Sequence, residues 1–317
     1  MSADGTKRST KRIRVSAPAG VVYALLADAE NWPLFFSPSV HVETLDAEGE
    51  RQRMLMWSLL GGRLTSWISW RRLDPVHHRM EFRQELPAAP LHSMGGLVQI
   101  HERGPGACEI ELGYDLTTAG PPGGQRARAE RAVDLNTTAQ LDGLKTVAER
   151  WPRLDDLMLT FEDSLHVDGP AELVYDFLYR AGDWPELVPH ITRVDLTEDT
   201  PGVQHLSTQT RTEYGTRTLT SVRVCFPHAE RVVYKETTPS PLLAAHVGEW
   251  SVVPDGRGVT VTARHSALLR EEHLAAELGE HATLAAARRH VREEIGRNAR
   301  VLLAHARTHA ENGVRML

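Results

Sequence analysis

The sequence predicts an α+β chain built from one domain used twice. Each copy is a curved seven-stranded antiparallel sheet wrapped around a long C-terminal helix, with a pocket in its interior. Three observations carry this: a self-match at a constant shift, runs of period-two alternation after it, and a long helical pattern closing each copy.

At a shift of 152 positions, Val15 to Pro33 aligns with Val167 to Pro185. Val15, Pro18, Ala19, Val22, Tyr23, Leu26, Ala29, Trp32 and Pro33 all recur, where chance gives about one match. The same shift pairs Ser69 with Ser221, Arg71 with Arg223, Pro75 with Pro227 and Arg79 with Arg231. A chain of 317 residues exceeds the usual limit of one hydrophobic core, so two domains follow, 1–153 and 154–317.

Each copy opens with an alternating strand (Arg12 to Val15 in the first) that ends at a proline suited to a helix start. Val22, Leu25 and Leu26 give a short helix, which breaks at Trp32-Pro33 because a residue before proline resists the helical region. A short second helical turn follows. Six alternating segments come next, near 40–47, 51–59, 63–73, 78–86, 94–103 and 107–117. Asp46 to Gly49, Gly61-Gly62 and Gly104 to Gly106 supply the tight joints of a meander. The loop Ala119 to Gly124 ends the sheet, and Gln125 to Arg150 reads as the long helix, with Val133, Leu141, Leu144 and Val147 apolar. The second copy repeats the plan near 157–166, 191–198, 203–212, 216–226, 231–238, 246–253 and 258–267, with one longer final helix from about Glu271 to Ala310. A sheet of this length must curl, and a helix across its concave face encloses a cavity.

Composition narrows the function. Hydrophobic residues are 41% and charged residues 25%, typical of a folded globular chain. The N-terminal segment is basic with no apolar run behind it, and no stretch is long and apolar enough to span a bilayer, so a cytoplasmic protein without a membrane partner is expected. Net charge is -6, and the basic runs KRSTKRIR and QRARAERA lack interleaved aromatics, which argues against nucleic acid. Cys108 and Cys225 fall in different halves and read as plain strand residues. The 16 histidines show no zinc spacing, and His77-His78 sits in a hairpin joint, so no metal is expected.

The order of elements resembles the helix-grip (START or Bet v 1-like) fold, and specifically the di-domain class of bacterial aromatic polyketide aromatase/cyclases. The residues that carry the resemblance are V-x-A-P-x-x-V-Y at the start, NWPLFFSPS (Asn31 to Ser39), SWISWRRLDP (Ser66 to Pro75) and DLNTTAQLDGLKTVAERW (Asp134 to Trp151). The second copy matches through GDWPELVPH and SVRV, and its last helix keeps only Asn298 of the N-T-T triplet. The resemblance implies an enzyme that receives a poly-β-ketone from an acyl carrier protein and completes its first ring by aldol closure and dehydration. It implies no cofactor, and it makes the ketosynthase or ketoreductase of the same pathway a further partner. It places Arg71 at the centre of the chemistry and Trp32 at the pocket mouth, with Phe36 and Ser39 following in the same segment. Ser39 and Thr65 stand where single-domain relatives carry a tyrosine and a second tryptophan.

Trp67, Ser69 and Arg71 share strand parity, so all three face one side, while Trp70 and Arg72 face the other. Aldol closure develops charge on an enolate and then an alkoxide oxygen, which a guanidinium in a water-poor cavity stabilises. Ser69 is a nearby hydroxyl for proton movement. A strand arginine is also able to snorkel to solvent or pair with a carboxylate such as Asp74. Arg223 and Ser221 occupy the matching strand of the second copy, and Trp184 its tryptophan. His190, just past the second WP, is a candidate acid or base; His246 and His265 are its companions in number only. Asn136 on the long helix is placed to bond a ligand carbonyl or to cap a helix distortion, with Asn298 its counterpart in the second copy, and Met94, Met54 and Met56 to line an adaptable pocket or simply fill the core. Two other functions fit the same fold: a lipid or hydrophobic-metabolite carrier without chemistry, and a pair with one catalytic and one structural copy. The first copy, which keeps W-x-S-x-R and L-N-T-T together, is expected to carry more of the chemistry.

Overall fold

In the computed structural model, residues 6–87, 89–118, 123–212 and 215–315 are described. The chain divides into two units, one ending at Leu154 and the other beginning at Asp155. The first contains strands β1 (Lys7–Val15), β2 (Ser39–Glu48), β3 (Arg51–Leu60), β4 (Arg63–Asp74), β5 (Arg79–Leu86), β6 (Leu91–Gly104) and β7 (Ala107–Thr118). They form one antiparallel sheet in the order β1-β7-β6-β5-β4-β3-β2. Six strands thus run as a meander, and β1 closes the far edge on β7, with Ile13 opposite Ile110. The strand read at Arg12 to Val15 starts earlier, at Lys7, because the basic N-terminal run alternates exposed and half-buried side chains along β7.

Helix α1 (Ala19–Ala27) leads through a 3-10 turn at Ala29–Asn31 into α2 (Trp32–Phe35), and α3 (Gly124–Glu149) crosses the sheet. Pro33 lies within the first turn of α2, where its missing N–H costs nothing, so the WP step restarts a helix there. The inward stripe of α3 is Val133, Thr137, Leu141, Leu144 and Val147, at helical spacing. Gly143 lets α3 approach α2 closely, since a β-carbon there would stand 2.5 Å from the carbonyl oxygen of Phe35. Ala119 to Pro122, the centre of the expected loop, lies outside the described residues.

The second unit follows α4 (Leu154–Leu157) with β8 (Met158–Val167), α5 (Ala171–Tyr179), α6 (Trp184–Leu187), β9 (Ile191–Thr200), β10 (Val203–Thr212), β11 (Gly215–Phe226), β12 (Arg231–Glu236), β13 (Leu243–Pro254) and β14 (Val259–Leu269). The strand order, β8-β14-β13-β12-β11-β10-β9, reproduces the first sheet. The final helix differs from the expectation. Residues 271–273 form a 3-10 turn, α7 (Leu274–Leu278) ends at Gly279 with φ 96°, and only then does α8 (Leu284–Arg315) begin. Gly279 takes a left-handed backbone that a continuous helix cannot contain. Thr283 then caps α8, its Oγ1 accepting from the amide of Ala286 at 3.2 Å. Asn298 consequently lies 162 positions after Asn136, an inserted segment separating sheet from helix in this copy.

Candidate functional site

Each sheet and its long helix enclose a cavity. The first, about 110 Å³, is lined from the sheet by Met54, Met56, Trp67, Ser69, Arg71, Met80, Phe82, Gln84 and Met94, from α2 and the residue after it by Trp32 and Phe36, and from α3 by Asn136, Thr137 and Gln140. Parity holds as expected: Trp67, Ser69 and Arg71 face inward, whereas Trp70 faces outward under the Arg51 guanidinium, 5.5 Å from its ring centroid.

Arg71 is 2% exposed. It neither snorkels nor pairs with Asp74, which instead accepts from the amide of His77 at 3.0 Å. Its Nη1 donates to Leu26 O (3.1 Å), its Nη2 to Ala27 O (2.5 Å) and its Nε to Gln52 Oε1 (2.8 Å). The guanidinium therefore clamps the C-terminal end of α1, where the helix dipole favours a cation. Its carbon stands 5.2 Å from the Trp32 ring centroid, and Trp32 Nε1 donates to the same Leu26 carbonyl at 3.2 Å. Burial lowers the Arg71 pKa to about 10, which leaves it fully charged at neutral pH. A guanidinium carries five N–H groups, and three are spent on the protein, so two remain for a ligand oxygen.

Ser69 also lines the cavity, yet its hydroxyl donates to Arg83 O at 3.0 Å across a bulge between β4 and β5. Its proton is engaged, which leaves its oxygen lone pairs as the groups open to a partner. Ser39 departs from the expectation: it is buried, 3% exposed, but is not among the lining residues. A bulge between Ser39 and His41 shifts the alternation where β2 begins. Asn136 Oδ1 and Gln84 Oε1 are buried without a hydrogen-bond partner in the protein. Gln84 and the clamp residue Gln52 escaped the sequence reading, because a lone glutamine on a strand carries no pattern.

The second cavity, about 160 Å³, is more heavily titratable. Trp184, His190, Ser221, Arg223 and Asn298 all line it, together with Tyr234, Glu236, His246, His265 and Trp250. Arg223 repeats the Arg71 geometry in part, donating through Nη2 to Leu178 O and lying 5.5 Å from the Trp184 ring centroid. Its Nη1 has no hydrogen-bond partner. Gln204, which matches Gln52, is drawn instead to Glu198 Oε2 (2.8 Å) and Tyr179 O (3.2 Å). The second guanidinium is thus less fully clamped than the first. His190 is held below its ordinary pKa by burial and then by His305. Beside Arg223, His246 Nδ1 lies 2.9 Å from Glu236 Oε1, and His246 Nε2 lies 3.3 Å from His265 Nδ1. Tyr234 Oη is 3.1 Å from the same His265 nitrogen. The sequence reading met two of these four as scattered histidines and missed Tyr234 and Glu236. Comparing the copies position by position would have exposed them, since Phe82, Gln84 and Met94 stand where Tyr234, Glu236 and His246 do.

Two domains, each a curled sheet closed by a long helix around a cavity in which a buried arginine lies against a tryptophan, define a tandem-cavity protein. The chain belongs to the family described as "Polyketide cyclase / dehydrase and lipid transport", whose profile matches residues 6–149 and again 158–307. It is similar to the actinorhodin polyketide synthase bifunctional cyclase/dehydratase of Streptomyces coelicolor, 38% identical over 96% of this chain and 98% of that one. It is 36% identical to the granaticin polyketide synthase bifunctional cyclase/dehydratase of Streptomyces violaceoruber, over 94% and 93% of the two chains. Among solved structures, the di-domain ARO/CYC BexL from the BE-7585A biosynthetic pathway superposes with a TM-score of 0.85 at 36% identity, covering 96% of this chain and 99% of that one. The di-domain ARO/CYC StfQ from the steffimycin pathway gives 0.84 at 31% identity, with the same coverage. No described helix is long and apolar enough to cross a membrane.

Proposed function

We propose that this chain is an aromatase/cyclase that takes a poly-β-ketone from an acyl carrier protein and carries out first-ring aldol closure and dehydration in aromatic polyketide biosynthesis. The observation that carries this reading is Arg71: a buried cation, already stacked and clamped, with N–H groups left over inside an apolar cavity. A carrier of plain lipid gains nothing from burying a charge, which costs several kcal/mol of desolvation.

Ring closure removes a proton from a methylene flanked by two carbonyls and joins that carbon to a distant ketone, whose oxygen becomes an alkoxide. The two spare N–H groups of Arg71 are suited to that oxygen, and the fixed clamp means that they need no reorganisation as charge develops. Met54, Met56, Met80 and Met94 provide a deformable wall against which a flexible chain folds so that the two carbons meet. Loss of water then establishes the unsaturation of the aromatic ring.

The test is incubation with a reconstituted minimal polyketide synthase that supplies the carrier-bound chain. Formation of a single regiodefined aromatic ring is expected. A product profile identical to that of the synthase alone, with only spontaneously cyclised shunt products, refutes the assignment.

A further inference from the structure

The second cavity contains a set of proton-carrying groups that the first lacks. Tyr234 and Glu236 are two residues apart on β12 and face the same side, into the cavity. His246 on β13 and His265 on β14 complete a path: His246 Nε2 is 3.3 Å from His265 Nδ1 and His265 Nδ1 is 3.1 Å from Tyr234 Oη, both at hydrogen-bond geometry, while Glu236 Oε1 approaches His246 Nδ1 to 2.9 Å without forming a hydrogen bond. The path needs Gly248, which sits directly between Tyr234 and His265 in the strand register. A β-carbon at Gly248 would overlap the Tyr234 ring, so the glycine is what lets the phenol reach across β13.

The first copy has the same architecture and none of the chemistry. Phe82 lies against Gly96 as Tyr234 lies against Gly248. Gln84 and Met94, which touch each other at 3.6 Å, stand for Glu236 and His246. Opposite Gly96 stands Tyr114, whose hydroxyl donates to Asp134 on α3 at 3.2 Å and which is not a lining residue. A network of buried polar groups is costly unless it is satisfied or used, and the first copy shows that this fold does not need one here.

We propose that Glu236 and Tyr234 are the base and acid of a β-elimination of water carried out in the second cavity, with His246 and His265 returning the proton between them. This rests on the aromatase/cyclase reading and assigns its dehydration step. The Glu236 carboxylate takes the proton from the carbon α to the ketone, the electrons of that C–H bond form the new C=C bond, and the C–O bond at the β-carbon breaks. The departing hydroxyl takes the Tyr234 proton and leaves as water. Burial and then Glu236 push the Tyr234 phenol up, and neighbouring Arg223 opposes them electrostatically, offsetting part of the charge left on the oxygen. Glu236 then passes its proton to His246 Nδ1, His246 Nε2 passes one to His265 Nδ1, and that nitrogen reprotonates Tyr234; His246, left with its proton on Nδ1, regains the Nε2–H form by exchange with water that enters as product leaves. Burial and then His246 hold the His265 imidazole down to about pKa 3, so it rests neutral, and the path uses the tautomer in which Nδ1 is the acceptor. Among the described residues no group of three or more His, Cys, Asp and Glu side chains is arranged to hold a metal ion.

The experiment uses the full-length protein and a β-hydroxy-tetralone, a bicyclic ketone whose loss of water yields fluorescent naphthol. Wild type should accelerate naphthol formation over buffer. Glu236→Gln and Tyr234→Phe, each installing the residue type that the first copy tolerates at that place, should lower the rate by about 10²-fold. Arg72→Ala, an exposed position on the outer face of the first sheet where it pairs with Glu50, should leave it unchanged. His246→Met should keep the first turnover and lose the steady-state rate, a burst that a merely structural role does not produce. Circular dichroism melts confirm that each variant is folded. No acceleration by wild type, or full rates in folded Glu236→Gln and Tyr234→Phe, overturns the proposal. The probe needs no carrier protein or synthase, so a failure here is distinct from failure of ring closure in the minimal synthase assay.

Discussion

Replacing Arg71 with alanine tests whether one side chain both holds the fold and serves the chemistry. The substitution deprives Ala27 O and Gln52 Oε1 of their donor, while Leu26 O keeps the indole N–H of Trp32. Each buried acceptor left unpaired costs about 1–2 kcal/mol, and relief of the buried charge offsets part of that, so a net loss of about 2–3 kcal/mol is expected. Arg223 has one hydrogen bond of the same kind, to Leu178 O, and its Nη1 is already unpaired. Its alanine variant should cost less, about 1 kcal/mol. Urea titrations followed by tryptophan fluorescence measure both. At temperatures where Arg71→Ala remains folded, ring-closed product from the minimal synthase assay should fall by about 10²–10³-fold, the usual loss on removing an oxyanion donor. Arg71→Lys keeps the charge but cannot span two carbonyls and Gln52, and should recover only part of either loss. Equal stability of Arg71→Ala and wild type, or a larger cost for Arg223→Ala, refutes the clamp. Undiminished ring closure refutes the oxyanion role.

Gly143→Ala forces a β-carbon against Phe35 O and should lower stability by about 1–3 kcal/mol, with the tryptophan emission of the first unit altered because α2 carries Trp32; a neutral melt contradicts this packing. Asp163 is partly buried, which raises its pKa, but hydrogen bonds from Arg292 and Arg300 outweigh burial and hold it below the ordinary carboxylate range. A depressed folded pKa gives stability that is full above the unfolded value near about 3.9 and lost as pH falls through the folded value. Asp163→Asn should therefore destabilise the second unit at pH 7 and converge with wild type in acid; a penalty that persists unchanged there would contradict the linkage. Thr283→Ala removes the α8 cap and should cost about 1 kcal/mol in a thermal melt, whereas Thr283→Ser should retain most of it.

Local and repeated features of this chain were legible without coordinates. The duplication, the strand meander, the WP step and the inward parity of Trp67, Ser69 and Arg71 depend on periodicity and on a shift, both of which are properties of the string. The break before α8 is not evident in the string because Leu274 to Leu278 and Leu284 onward are each good helix, and the turn at 279–283 that separates them begins with the left-handed backbone of Gly279. The hydrogen bond from Ser69 to Arg83 and the bulge at Ser39 depend on register between strands, which a single strand's pattern does not state.

Sequence by itself determined that there are two cavities of one fold and that an arginine faces into each. It pointed to the first as the more reactive, on the strength of motifs kept together. The tertiary structure decided what each arginine is free to do, because Gln52 closes on Arg71 while Gln204 turns away from Arg223 toward Glu198. It also brought Tyr234, Glu236, His246 and His265 from three strands to one wall of the second cavity. Proton transfer depends on distances of about 3 Å between atoms far apart in the chain, and those distances exist only once the sheet has curled.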